Sequence, residues 1–151
     1  MYRVRLWSVK HSRFMERLYN GVNPAILATL KGITKVFGNE LDKPIIAMEA
    51  GVKGFLFDCQ MCGDCALSKT GMSCPMNCPK TLRNGPCGGV RANGMCEVKP
   101  EMRCVWVQAW DGASRMKGGE AIKDNEFAID HRAKGTSTWL KLAREEMKPH
   151  E

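Results

Sequence analysis

Apolar residues recur at helical intervals most clearly between residues 23 and 38. Asn23 is a favourable N-cap residue, Pro24 suits the first helical turn, and Gly38 follows the last periodic position. The apolar residues between these signals fall on one helix face: Ile26, Leu27, Leu30, Ile33, Val36 and Phe37. The pattern therefore predicts an amphipathic helix over residues 24–37.

A shorter apolar pattern precedes this helix. In residues 13–19, Phe14, Leu18 and Tyr19 share one side of a helix. Gly21 follows them, and glycine weakens the interior of a helix. We predict a helix here that Gly21 separates from the next one, so that the two form a helical hairpin.

The apolar residues in segment 59–104 recur at neither the helical nor the strand interval. Prolines and glycines interrupt the whole segment: Pro75, Pro79, Pro86 and Pro100, with Gly63, Gly71, Gly85, Gly88, Gly89 and Gly94. Asn93 and Gly94 form a tight-turn signal that joins residues 89–90 to residues 95–98 in a short hairpin. The remainder of this segment is predicted to be loop.

The C-terminal part of the chain carries two further signals. Residues 104–107 are β-branched and aromatic, which predicts a short strand, and residues 111–125 are a polar, glycine-bearing loop. Ser137 is a helix N-cap for residues 138–147, and residues 147–151 form a tail. The apolar side of this last helix consists of Trp139, Leu142, Ala143 and Met147.

These elements predict a small, irregular α+β fold. A helical hairpin precedes a loop-rich cysteine module wrapped around metal clusters, and a short hairpin and a C-terminal helix complete it. We divide the chain into an N-terminal helical segment for docking to a partner (residues 1–58), a cysteine-rich metal-cluster module (residues 59–111) and a loop with the C-terminal helix (residues 112–151).

Composition and charge limit the classes of function. The chain has 151 residues, which suits one domain, and no apolar run reaches the roughly 18 residues of a membrane span. The net charge of +7 permits nucleic-acid binding. However, basic side chains do not alternate with aromatic ones, and no zinc-finger spacing with histidines occurs. We therefore expect neither a membrane nor a nucleic acid as partner.

All eight cysteines lie within residues 59–104. A chain of this length buries a sufficient core without covalent links, so the cysteines are expected to serve chemistry. The first 20 residues lack the apolar stretch of a secretory signal, which predicts a cytoplasmic protein. Because cytoplasmic thiols are kept reduced, the cluster of cysteines favours metal binding over disulfides.

The spacing of the cysteines favours iron–sulfur clusters. Three cysteines at successive x2 spacings resemble the ferredoxin pattern for a 4Fe-4S cube, whereas structural zinc sites usually combine two separated pairs. Eight thiolates are the number that two such clusters require. One cluster plus zinc, or zinc alone, remain alternatives, and the assignment of ligands to clusters stays open. The candidate metal ligands are Cys59, Cys62, Cys65, Cys74, Cys78, Cys87, Cys96 and Cys104.

Signals for other chemistry are weak. His11, His131 and His150 lie far from the cysteines and show no metal-ligand spacing, so they are expected to be ordinary surface or core residues. The sequence has no arrangement typical of a catalytic triad and no dinucleotide fingerprint. We therefore predict no catalytic residue, and no site for flavin or folate, in this chain.

Several motifs resemble the methylenetetrahydrofolate reductase C-terminal domain family. They are CQMCGDC at residues 59–65, CPMNCPKTLRNGPCGG at residues 74–89, GMCEV at residues 94–98 and CVW at residues 104–106. DH at residues 130–131 and GTSTW at residues 135–139 are similar to a later motif of the family. The resemblance is strong over residues 50–111.

The resemblance implies a role beside a flavin-bearing catalytic reductase, as a small subunit without an active site of its own. Its eight cysteines would be the metal ligands, and two 4Fe-4S clusters would relay electrons to or from the partner's flavin in folate metabolism. A ferredoxin-like protein or another low-potential donor would supply the electrons. The alternative is a scaffold subunit of the same reductase, in which zinc or a cluster only stabilises the fold.

Overall fold

The computed structural model describes residues 2–124, 126 and 128–147. This part of the chain forms α1 (Tyr2–Lys10), α2 (Ser12–Phe37), α3 (Asp42–Phe57), α4 (Val105–Ala113) and α5 (Thr138–Glu145). Short 3-10 turns cover Pro75–Asn77, Gly119–Lys123 and His131–Ala133. The predicted tail beyond Met147, including His150, lies outside the described residues. None of the described helices is long and apolar enough to cross a membrane.

The predicted break at Gly21 is wrong, because α2 runs through it as one helix of 26 residues. Pro24 therefore lies inside the helix rather than at its start. Pro24 has no N–H, so the carbonyl of Asn20 loses its helical hydrogen bond. Asn20 is exposed, so water can take the place of this donor. Burial of Met15, Leu27 and Leu30 along the same helix offsets this loss.

The predicted end of α2 is confirmed. Gly38 has a φ of 59°, and its backbone N–H donates to the carbonyl of Thr34 at 3.0 Å. The left-handed region is accessible to glycine at little cost, so the helix ends there. The start of α5 is also confirmed, since the Ser137 side chain accepts a hydrogen bond from the N–H of Leu140. This last helix ends at Glu145, two residues earlier than predicted.

The predicted strand at residues 104–107 is wrong, because these residues begin α4. Cys104 caps the helix, and the helix buries Val105, Trp106, Ala109 and Ala113. Val105, Ala109 and Ala113 recur every four residues and Trp106 precedes Ala109 by three, so a helix places them all against the core, whereas a strand would expose alternate residues. Tertiary burial here overrides the local β character of Val-Trp-Val.

The predicted hairpin is present as a tight turn with isolated β-bridges. The N–H of Arg91 donates to the carbonyl of Met95 at 2.9 Å, and Gly94 has a φ of 78°. In the described part of the chain, pairing is limited to isolated antiparallel bridges, one of which joins Val90 to Cys96. The fold is therefore mostly helical rather than α+β, and the wrapping of the loops around metal clusters stays a prediction.

The hydrophobic core has two main parts, and α2 contributes to both. One part joins α2, α3 and α5 through Leu27, Leu30, Ile45, Trp139, Leu140 and Ala143. The other joins the first half of α2 and the end of α3 to the cysteine-bearing loops through Met15, Phe57, Leu67, Met72, Cys74 and Met116. The helices thus form the base on which the loops of the candidate site are packed.

Candidate metal centre

Four of the predicted ligands line one cavity. Cys59, Cys62 and Cys65 lie in the loop that follows α3, and Cys74 directly precedes the Pro75–Asn77 turn. Asp58 ends α3 in a left-handed conformation, with φ 55°, and directs the chain into this loop. The structure therefore brings the triad of x2-spaced cysteines together with the next cysteine along the chain.

The backbone of the segment that carries these cysteines is strained. Among the residues that the structure describes, four other than glycine have positive φ angles, and all lie within residues 58–81: Asp58, Met61, Met72 and Thr81. A left-handed conformation costs such residues about 1–2 kcal/mol each. Strain of this kind persists where the surroundings fix the backbone, and it is typical of functional sites. Met61, with φ 46°, lies between two of the candidate ligands.

Residues near the C-terminus hold the cysteine loop in place. The N–H of Gly135 donates to the carbonyl of Met61 at 2.7 Å. Gly63, with φ 79°, lies so close to Ala133 that a Cβ added to it would be 2.3 Å from the Ala133 carbonyl oxygen. Only glycine fits this position, because both the φ angle and the contact exclude a side chain.

One thiol of the set is activated. A hydrogen bond from the Cys74 thiol lowers the pKa of Cys59 to about 6, although burial acts in the opposite direction. The N–H of Met61 also donates to the Cys59 sulfur at 3.4 Å. The same coupling, together with burial, raises the pKa of Cys74. The lowered pKa favours the thiolate form of Cys59, which is the form that binds metals.

A buried arginine contacts the cavity. Arg83 is only 8% exposed, and its guanidinium donates to the sulfur of Cys62 at 3.9 Å. It also pairs with the carboxylates of Asp64, at 2.9 Å, and Glu126, at 3.4 Å. These contacts tie the cysteine loop to the segment that contains Arg83 and place a positive charge beside the thiols.

A buried ion pair forms another wall of the cavity. Lys53 donates to Glu49 at 2.5 Å, and both side chains line the cavity. Neither residue was predicted, because both lie in α3, a helix that the sequence pattern did not indicate. The sequence feature that could have indicated this pair is a stripe of positions that recur every four residues and are all buried: Ile45, Glu49, Lys53 and Phe57. A polar pair inside an otherwise buried helical stripe indicates a structural or functional role.

The remaining four cysteines lie on neighbouring loops. Cys104 N–H donates to the carbonyl of Gly94, and Cys96 N–H donates to the carbonyl of Met102, both at 2.9 Å. The sulfur of Cys87 lies 3.8 Å from a Glu97 carboxylate oxygen. Cys78 follows the short turn Pro75–Asn77, which packs against α4. These contacts join the loops that carry the second half of the predicted ligand set.

Two properties decide whether a zinc ion or a 4Fe-4S cluster fits these residues. They are the positions of the ligand atoms and the volume that these atoms enclose. Among residues 2–124, 126 and 128–147, no three His, Cys, Asp or Glu side chains converge on one metal-ion position. A zinc ion needs its sulfurs about 2.3 Å from a single point, whereas a 4Fe-4S cube binds each cysteine at a different iron. Thiols around a shared cavity therefore fit a cluster better than one ion.

The space itself is narrow. The cavity of Cys59, Cys62, Cys65 and Cys74 encloses about 20 Å³, which is room for a single water molecule. A 4Fe-4S cluster does not fit this space with the loop of residues 59–65 in the position that the structure gives it. Cys65 is the most exposed of the four cysteines, and it also lines the neighbouring groove between α2, α3 and α5.

The histidines lie elsewhere in the fold. His11 stacks on Trp7 with ring centroids 4.5 Å apart. His131 is exposed on a short 3-10 turn. Neither residue lines the cysteine cavity.

Comparison with known proteins gives one match. The model of a family described as "Methylene-tetrahydrofolate reductase C terminal" matches residues 39–132, more than half of the chain. This confirms the resemblance carried by the cysteine motifs, and the matched segment contains all eight cysteines with Glu49, Lys53 and Arg83. No curated protein and no solved structure matches the chain.

Proposed function

The chain belongs to the methylene-tetrahydrofolate reductase C-terminal family, and from this premise we propose that it is an iron–sulfur electron-transfer subunit of such a reductase. Its eight cysteines would bind two 4Fe-4S clusters. Its partner would be a catalytic subunit that holds the flavin and reduces or oxidises the folate.

The observation that carries this proposal is the cavity shared by Cys59, Cys62, Cys65 and Cys74. Thiolates are the ligands of iron–sulfur clusters, and here four cysteines come from two loops that pack on a common core. We assign this set to the first cluster. The loops joined by the contacts of Cys87, Cys96 and Cys104, together with Cys78, supply the second.

The buried cations support the same assignment. Four thiolates around a 4Fe-4S core carry a net negative charge, and burying such a charge is costly unless cations lie close by. Lys53 and Arg83 both line the cavity, and Arg83 donates directly to the Cys62 sulfur. Both cations are also paired with carboxylates, Lys53 with Glu49 and Arg83 with Asp64 and Glu126, so their positive charge is partly offset.

The two subunits would have different roles, because clusters and flavins transfer electrons in different numbers. Clusters pass electrons one at a time, whereas a flavin collects two and delivers them as a hydride. This chain would contribute the thiolates that hold the clusters. Cys65 also lines an apolar groove of about 520 Å³ between α2, α3 and α5, so the first site reaches the protein surface.

Flavin reduction in the reconstituted complex tests this function. The small subunit, prepared without oxygen, is reduced with dithionite, freed of excess reductant and mixed with the oxidised catalytic subunit. We expect the flavin absorbance to bleach while the small subunit reoxidises, with two electrons lost for each flavin reduced. No flavin reduction by a fully reduced small subunit would contradict electron transfer.

A scaffold role is the second candidate. Cys74 and Cys104 are buried within separate hydrophobic clusters, so metal bound to them would link parts of the core. In this case metal removal would unfold the chain and dissociate the complex. The flavin would still be reduced at the normal rate by a small-molecule donor whenever the metal-loaded chain is present.

A further inference from the structure

Helix α3 has charged residues on its buried side and apolar residues on its exposed side. Glu49 and Lys53 are 1% and 6% exposed, whereas Met48, Val52 and Phe55 are 53%, 46% and 57% exposed. In the surface helices of soluble proteins, the apolar stripe normally faces the core and the charged residues face water. An apolar face that is left exposed in this way indicates a site of contact with another molecule.

The exposed apolar residues of α3 border a groove against α2. Leu18 and Val22 of α2 line the part of about 520 Å³ together with Val52 and Leu56 of α3. A second apolar part, of about 600 Å³, lies between the later half of α2 and the start of α3, and Ile26 lines both parts. The two helices therefore run antiparallel with one continuous groove between them, the α2–α3 groove.

The α2–α3 groove has the dimensions of a helix-binding site. On α2 it extends from Met15 to Ile33, which is about 25 Å at the helical rise of 1.5 Å per residue. Among the described residues that line it, Lys53 is the only charged one. A groove between two helices accepts the ridge of apolar side chains on a third helix. The groove thus fits one amphipathic helix of about 16 residues.

The charges on the outer sides of the same helices indicate which kind of partner supplies this helix. In α2 and α3, all of whose residues are described, the exposed charged side chains are all cations: Arg13, Arg17, Lys35 and Lys43. Two copies of this chain would bring like charges together, whereas a partner with carboxylates beside its apolar stripe would be attracted. The charges therefore favour an acidic partner over a second copy.

Cys65 connects the groove to the cysteine-bearing loop. It lines the α2–α3 groove and also the cavity that it shares with Cys59, Cys62 and Cys74. A protein that occupies the groove therefore contacts the loop of candidate ligands. The catalytic subunit is the partner that the proposed function places beside these ligands.

We propose that the α2–α3 groove is the docking site of the catalytic subunit, which inserts the apolar side of a helix that carries carboxylates at its edges. The proposal rests on the proposed function, since that function supplies the partner. It adds the surface through which the two subunits meet and the chemistry of the segment that fills it.

Binding between the two subunits, each purified separately without oxygen and measured by isothermal titration calorimetry, tests the proposal. Val22→Glu and Val52→Glu each place a carboxylate at a half-exposed position in the groove, where docking would bury it among apolar groups. We expect each change to weaken binding at least about tenfold, and the double variant to weaken it further. Glutamate has a higher helix propensity than valine, so both helices should still form.

Val36→Glu is the matched control. Val36 is 74% exposed on α2 and lines neither part of the groove, so the same change there should leave the affinity within about twofold. Circular dichroism of every variant establishes that the helices are formed. If Val22→Glu loses helix content, the nearly isosteric Val22→Thr takes its place, with an expected loss of about threefold or more.

The charge of the partner is tested separately. Arg17→Glu combined with Lys43→Glu reverses two exposed cations, one on each helix. We expect this double variant to bind more weakly at low salt, with a smaller difference from the unmodified chain at high salt. Unchanged affinity at low salt would contradict an acidic partner helix.

The pattern across the variants decides the outcome. A complex that forms with unchanged affinity in both groove variants overturns the proposal, and so does an equal loss in Val36→Glu. A chain that is dimeric in analytical ultracentrifugation, and monomeric as Val52→Glu, would show that a second copy occupies the groove instead. Binding to phosphatidylglycerol vesicles that Val22→Glu abolishes, with subunit affinity unchanged, would assign the groove to a membrane surface. Absence of binding between the unmodified subunits would instead refute the proposed function and this proposal with it.

Discussion

Cys62 connects the cysteine loop to a buried cation, because its sulfur accepts a hydrogen bond from Arg83. A serine hydroxyl is a far poorer ligand for cluster iron than a thiolate. We expect Cys62→Ser to lose the first cluster and keep the second, so that the iron content falls from about eight to about four per chain. Iron analysis of protein purified without oxygen measures this change.

His131→Ala is the control for this variant. His131 is exposed on the His131–Ala133 turn and does not line the cavity, so its removal should leave the iron content intact. Equal iron in Cys62→Ser and His131→Ala would contradict the assignment of Cys62 as a ligand.

Gly63 is the residue at which the cysteine loop meets the C-terminal segment. Gly63→Ala introduces a methyl group against the Ala133 carbonyl at a left-handed position, and we expect a loss of about 2 kcal/mol or more in the free energy of unfolding. Gly88→Ala is the matched control, since Gly88 has open space around it and no positive φ. Thermal unfolding compares the two, and equal midpoints would argue against the packed loop.

At the level of elements, the sequence was most informative where caps and periodicity agreed. The end of α2 at Gly38 and the start of α5 after Ser137 were both correctly predicted, because these signals act through local backbone hydrogen bonds. The division at Gly21 failed, since glycine lowers helix propensity by only about 1 kcal/mol and the buried face of α2 outweighs it.

Other elements could not be predicted because distant contacts determine them. α3 was missed since Glu49 and Lys53 interrupt its apolar stripe, and they are buried only because Ser137 and Thr138 complete their hydrogen bonds. α4 was misread because Val105 and its neighbours have β character when considered alone. The spacing of the cysteines predicted a ligand set but left its grouping open, so it did not predict that Cys74 lies with Cys59, Cys62 and Cys65, nor that Lys53 and Arg83 line the same cavity.

Continuity of α2 has a direct test. Gly21 is exposed and unobstructed in the middle of the helix, so Gly21→Ala should raise stability by up to about 1 kcal/mol. Gly38→Ala, at a positive φ, should lower stability by about 1–2 kcal/mol. Chemical denaturation of both variants checks this, and destabilisation by Gly21→Ala would indicate a break in the helix at that point.

For the whole molecule, the two main parts of the core differ in their dependence on metal. The cluster around Leu27, Ile45 and Trp139 contains no cysteine, whereas the cluster around Phe57 includes Cys74. We expect metal removal to disorder the loops while most of the helix content remains. Circular dichroism before and after chelation measures this, and complete loss of helix would mean that the metal holds the entire fold.

Charge provides a second property of the whole molecule. The chain carries +7 with neutral thiols, and each cluster with its four thiolates adds about −2, so the loaded protein carries about +3. The basic excess then lies mainly in residues 1–58, which hold 9 basic and 5 acidic side chains. We expect the loaded form to elute from a cation exchanger before the metal-free form, and the reverse order would contradict this charge balance.

The metal content of the unmodified chain, measured after purification without oxygen, tests the central claim most directly. Two 4Fe-4S clusters predict about eight irons and about eight acid-labile sulfides per chain, with a brown colour that dithionite bleaches. Stoichiometric zinc without iron in the same material would contradict the iron–sulfur assignment and the electron-transfer role together.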